Sequence, residues 1–144
     1  MRIRLTASLA LVFLFLTSQV SLADDYKELT GTWNITAAEF DGTEIPVDSF
    51  PYDAIVIKRG QLIFMSKGNE ATKSKLKLNT SVSPKQMTWT LDGQDPMDVI
   101  YEVKESKLRI CSQSVKDPAK KKITAPASFE TKGQKSLLLV AEKE

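Results

Sequence analysis

Asp98-Val99-Ile100-Tyr101-Glu102-Val103-Lys104-Glu105-Ser106-Lys107-Leu108-Arg109-Ile110-Cys111-Ser112-Gln113 reads as two alternating runs joined by a polar pair. Side chains of a β-strand point to opposite faces in turn, so a period of two gathers the apolar residues on one side. Val99, Tyr101 and Val103 share one face of the first run, and Leu108 and Ile110 share one face of the second. With Glu105-Ser106 as the turn, the stretch predicts an antiparallel hairpin lying on a core.

The same pattern extends in both directions. Gln86 to Leu91 sets Met87, Trp89 and Leu91 against Gln86, Thr88 and Thr90, and Lys73 to Asn79 sets Leu76 and Leu78 against Lys73, Lys75 and Lys77. Asp53 to Lys58 and Gln61 to Ser66 flank the turn dipeptide Arg59-Gly60. Both are apolar on two faces, as expected of well-covered strands. Gly31 to Phe40 carries Trp33, Ile35 and Ala37 on one face and ends at Asp41-Gly42, and Ser136 to Glu142 forms a last apolar run. Between them, Glu44 to Tyr52 with Pro46 and Pro51 is expected to be a connection holding one helical turn and covering an end of the sheet. Ser114 to Pro126 is expected to be a long mobile loop. About eight short strands in sequence predict an all-β protein. The preferred form is an eight-stranded antiparallel up-and-down barrel, which leaves no free edge; a two-sheet sandwich is the alternative.

Residues 1–23 read differently. Arg2 and Arg4 precede an uncharged, mostly apolar stretch from Leu5 to Leu16. Thr17 to Ala23 then supplies small and polar residues, with Ser21 and Ala23 suited to a peptidase pocket. This order is that of a secretory signal peptide cut after Ala23, and the apolar run is shorter than the roughly 20 residues that span a bilayer. The expected product is a single barrel domain, 24–144, located in the periplasm or outside the cell, with no transmembrane anchor after cleavage. Removing Arg2 and Arg4 leaves 18 basic and 18 acidic residues. A near-neutral domain is a poor polyanion binder, so no nucleic-acid partner is expected. Cys111 is the only cysteine, so no internal disulfide forms, and the residue reads as a small packing group in a strand.

Histidine is absent from the chain. That removes the commonest general base and the usual zinc ligand, and with one cysteine the familiar nucleophilic triads and dyads cannot be assembled. No phosphate loop or dinucleotide fingerprint occurs among six glycines. Asp92, Asp95 and Asp98 are the densest carboxylate group, but their spacing departs from a calcium loop and suits an ordinary turn. The expectation is a non-enzymatic protein without cofactor or metal. Trp33, Ile35, Met87, Trp89, Tyr101, Leu108 and Ile110 are the inward residues expected to meet a small apolar or amphipathic ligand, either in whatever space a mostly filled interior leaves or at its open end. A second expectation is an interaction module touching a cell-envelope component through Lys73, Lys75 and Lys77, through Lys120, Lys121 and Lys122, or through Cys111.

Leu29-Thr30-Gly31-Thr32-Trp33 resembles the Gly-x-Trp signature of the first lipocalin strand, where the tryptophan closes one end of the barrel. Over nearly the whole of 24–144 the chain is similar to a family of small secreted lipocalin-like proteins of unknown function, abundant in planctomycete bacteria. The residues concerned are Leu29, Gly31 and Trp33; Asp41-Gly42 with Pro46; Pro84-Lys85 and Met87; Ile100 to Val103; Leu108 to Cys111; Pro126 with Phe129; and Leu137 to Val140. The resemblance implies a barrel fold and export, and no catalytic residues. Ala125 and Ala141-Glu142 stand where the family typically has Arg before the proline and a Lys-Arg ending. If those basic residues clamp the tryptophan, the clamp is expected to be missing here.

Overall fold

The computed structural model describes residues 22–113 and 123–144. One short helix, α1 (Leu22–Leu29), precedes nine strands: β1 (Gly31–Phe40), β2 (Thr43–Ile45), β3 (Ala54–Lys58), β4 (Gln61–Ser66), β5 (Asn69–Asn79), β6 (Gln86–Thr90), β7 (Met97–Lys104), β8 (Lys107–Gln113) and β9 (Ser136–Lys143). The proposed leader, apart from its last two residues, and residues 114–122 of the loop expected from Ser114 to Pro126, including Lys120, Lys121 and Lys122, lie outside the described residues.

Eight of the strands form a closed antiparallel barrel in the order β1-β3-β4-β5-β6-β7-β8-β9, with β9 returning to pair with β1. That last pairing decides between barrel and sandwich. It joins Trp33 to Lys143 at one end and Phe40 to Leu137 at the other, so neither terminal strand keeps an open edge. The short β2 is an addition. It pairs Thr43, Glu44 and Ile45 with Phe40, Glu39 and Ala38 of β1. A single turn of 3-10 helix, Val47–Ser49, then leads into β3, within the segment expected to be a connection.

Strand alternation fills the interior. Trp33, Ile55, Ile57, Leu62, Met87, Val99 and Leu108 are completely buried in one continuous apolar cluster, with Ile35, Leu76, Leu78, Tyr101, Ile110, Leu139 and Ala141 among its other members. One expected inward residue is displaced. The β1–β9 register slips between Ile35 and Ala37, and this bulge turns Ala38 into the core while Ala37 is left half-buried. The extra residue reverses the facing of the rest of β1, which period-two reading cannot anticipate.

A second buried layer lies outside the barrel wall. Ile100 and Cys111 are opposite each other in the β7–β8 ladder and point away from the axis, yet neither is exposed. The stretch 123–135 lies against the same side of the barrel wall. Ile123 bridges to Met97, the Arg109 guanidinium lies 4.3 Å from the centre of the Phe129 ring, and Thr131 is tied to β1 by donating to Glu39 and accepting from the Gly42 amide at 2.9 Å.

Candidate functional site

The two ends of the barrel differ. At the first, α1 lies over the start of β1. The Trp33 indole Nε1–H donates to the Leu29 carbonyl at 2.8 Å, and Lys143 Nζ sits 5.4 Å from the Trp33 ring centre while donating to the Glu28 carbonyl at 3.2 Å. A basic residue of the last strand therefore does cover the tryptophan. The clamp expected to be missing is supplied by Lys143, because the β1–β9 register places it opposite Trp33.

No helix crosses the second end among the described residues. Here the core reaches the surface through a row of aromatic rings. Phe50 meets Tyr52 edge-on with centres 5.8 Å apart, Tyr52 lies against Phe64 at 4.8 Å, and Phe64 meets Trp89 edge-on at 5.5 Å. Ile45, Met97 and Leu137 pack alongside, half-buried. The Tyr52 hydroxyl is 3.3 Å from Thr72 Oγ1, but the Trp89 indole Nε1 is buried and has no hydrogen-bond partner among the described residues. A buried donor left unpaired costs about 1–3 kcal/mol, so this is a position where a ligand acceptor gains more than it would in water.

All seven residues expected to meet a ligand are brought together inside the barrel, but not equally. Trp33, Met87 and Leu108 have no exposed surface, and Ile35, Tyr101 and Ile110 are buried among other core side chains. A ligand could reach those six only by displacing packed neighbours. Trp89, at 9% exposure, stands at the rim. Phe50, Tyr52 and Phe64 were not singled out from the sequence. The signal was the proline-bounded segment 46–51 expected to cover an end of the sheet, and Phe64 was hidden by an apolar run that points to both faces.

Lys73, Lys75 and Lys77 are exposed on the outer face of β5, as their alternation requires. Lys73 and Lys75 line an open cleft of about 480 Å³ together with Arg59, Gln61, Thr90 and Asp92. Asp92 and Asp95 face solvent in the β6–β7 connection, whereas Asp98 lies on β7 and accepts a hydrogen bond from Thr88 Oγ1 at 2.6 Å. Among the described residues no group of three or more possible ligands gathers into a metal site. Cys111 is fully buried, which removes it from any surface that a partner could touch.

Burial pushes the Cys111 thiol above its ordinary value, against the opposing effects of Ser136 and Arg109. Burial, reinforced by the nearby charges of Asp25 and Glu28, pushes the Tyr101 phenol up as well. Both groups stay protonated in the folded state at pH values where the unfolded chain ionises. Stability is therefore full below the unfolded pKa values and declines as pH rises, from about pH 9 through Cys111 and from about pH 10 through Tyr101, by up to about 1.4 kcal/mol per pH unit for each group. Urea midpoints measured from pH 8 to 11 should show this decline. Cys111→Ala should remove its earlier part and Tyr101→Phe its later part, and an unchanged slope in both variants would refute the assignment.

Comparison with protein-family models, with curated proteins and with solved structures finds no match.

Proposed function

We propose that this chain is an exported, non-enzymatic binding protein that holds a small aromatic or amphipathic molecule at the second end of the barrel, against Tyr52, Phe64 and Trp89. The observation that carries the reading is the unpaired Trp89 indole Nε1–H at the inner end of the aromatic row. The rings, meeting edge-on or tilted, offer apolar faces and edges for a ligand ring to pack against, and the indole donor fixes the orientation of any ligand that carries an acceptor. The packed interior supports a ligand seated at the rim, with the neighbouring rings parting to admit its acceptor to the buried Trp89 Nε1–H.

Anilinonaphthalene sulfonate has both required features, an aromatic body and acceptor oxygens, and serves as the probe. One molecule per chain should bind with a gain in fluorescence. Trp89→Phe should weaken binding by about tenfold, the equivalent of one hydrogen bond, while Trp33→Phe, altered at the opposite end, should leave the affinity unchanged. Equal binding by the Trp89 variant and the parent would refute the reading.

The β5 lysines support a second reading, contact with an anionic envelope polymer, through the convergence of Arg59, Lys73 and Lys75 on one cleft. Replacing Lys73, Lys75 and Lys77 by glutamine should release the protein from isolated envelope at lower salt than the parent. Identical release curves would remove this surface from consideration.

A further inference from the structure

The end of the barrel under α1 contains a second site, independent of the aromatic row. Asp25 of α1 is only 2% exposed, and its Oδ1 is paired with Lys85 Nζ at 2.6 Å. Its other oxygen, Oδ2, is buried without a hydrogen-bond partner, and so is the hydroxyl of Tyr101. Both residues line one cleft of about 430 Å³, whose wall also includes Glu28, Lys85, Glu102 and Phe129. Two buried polar atoms left unpaired in one small cleft cost about 1–3 kcal/mol each, so a group that pairs with both is bound with that much in reserve.

The unpaired atoms of the cleft select the kind of group. Asp25, Glu28 and Glu102 are balanced in charge by Lys85, by the Arg109 that pairs with Glu102 at 2.6 Å and by Lys143, whose Nζ donates to the Glu28 carbonyl at 3.2 Å. Asp25 Oδ2 is a carboxylate oxygen without a donor, which disfavours an anion. A divalent metal is disfavoured because the Lys85 ammonium already occupies the other oxygen of the same carboxylate. A monovalent cation with several N–H donors fits, since Asp25 Oδ2, the lone pairs of the Tyr101 hydroxyl and the Glu28 carboxylate are all acceptors.

We propose that this cleft binds a primary ammonium group. Two sources share that chemistry. One is the chain itself: if the leader is cut after Ala23, the new α-ammonium belongs to Asp24, the residue before Asp25 in sequence. The other is a free small amine. The first source rests on the reading of residues 1–23 as a leader, and neither depends on ligand binding at the other end of the barrel.

The test uses protein exported through its own leader, with the N-terminus read by mass spectrometry. Part of it is acetylated near pH 6.5, where an α-amine reacts ahead of lysine because its pKa is lower by roughly two units or more. Both forms are titrated with n-butylamine and melted. If the chain's own terminus fills the cleft, the acetylated form melts several degrees lower and binds butylamine, and the free form does not bind it. If a free amine is the natural occupant, both forms bind butylamine and acetylation leaves the melting temperature unchanged. In either case Asp25→Asn and, should that variant not fold, Tyr101→Phe weaken butylamine binding to the acetylated protein by about tenfold. The proposal is overturned if neither form binds butylamine and acetylation leaves the melting temperature unchanged, or if binding is indifferent to both substitutions.

Discussion

Trp33→Ala is expected to lower the stability of the barrel by about 3–5 kcal/mol, enough to unfold a domain of this size in a large fraction of molecules. Trp33 has no exposed surface and is the largest fully buried side chain. Its removal leaves a cavity beneath α1 and frees the buried Leu29 carbonyl from its 2.8 Å hydrogen bond. It also leaves Lys143 without the ring it covers. Trp33→Phe separates these effects. The ring still fills most of the space, but the Leu29 carbonyl loses its donor, so a smaller loss of about 1–3 kcal/mol is expected. Urea unfolding followed by circular dichroism measures both. Equal stability of the alanine variant and the parent would show that α1 does not hold this end closed.

Leu139→Pro should be at least as damaging, with a loss of about 3 kcal/mol or more. Residue 139 lies opposite Ala38 of β1 and Ile110 of β8, so the last strand of the chain is a central strand of the barrel, with a hydrogen-bonded neighbour on each side. Proline removes a ladder donor and fixes the backbone where there is no edge to absorb the change. Leu139→Val keeps the backbone free and removes one methylene, and should cost about 1 kcal/mol. The difference between the two variants in urea unfolding isolates the backbone contribution. If proline were tolerated as well as valine, the β1–β9 closure would not be required for folding.

Most strands were legible because their alternation is strict. Gln61–Ser66, Lys107–Gln113 and Gly31–Phe40 begin and end where the polar turn residues say they should. Three features were not legible, each for its own reason. The bulge in β1 depends on its register against β9, a hundred residues away, and has no local signature. The short β2 exists because the second half of β1 offers it a partner; its three residues alone carry no period. The helix α1 lies at the junction with the proposed leader, and its eight residues are too few for periodicity to identify them as a helix.

The two candidate sites divide in the same way. Trp33, Trp89 and Tyr101 were recognisable as inward-facing from period two alone. Which of them is sealed, which stands at a rim and which retains an unpaired polar atom follows from what packs over each end. Asp25 and Lys85 meet across sixty residues, and no spacing rule links them.

Local chemistry was therefore sufficient for the all-β class, the approximate positions of the eight barrel strands, most of the inward set and the absence of histidine chemistry, because these depend on residue type and on a repeat of two. Closure of the barrel, the slip in β1, the burial of Ile100 and Cys111 outside the barrel core and the pairing of Asp25 with Lys85 were decided by the tertiary structure. Each of these depends on contacts between segments distant in the chain, whose free energy exists only once the chain has folded.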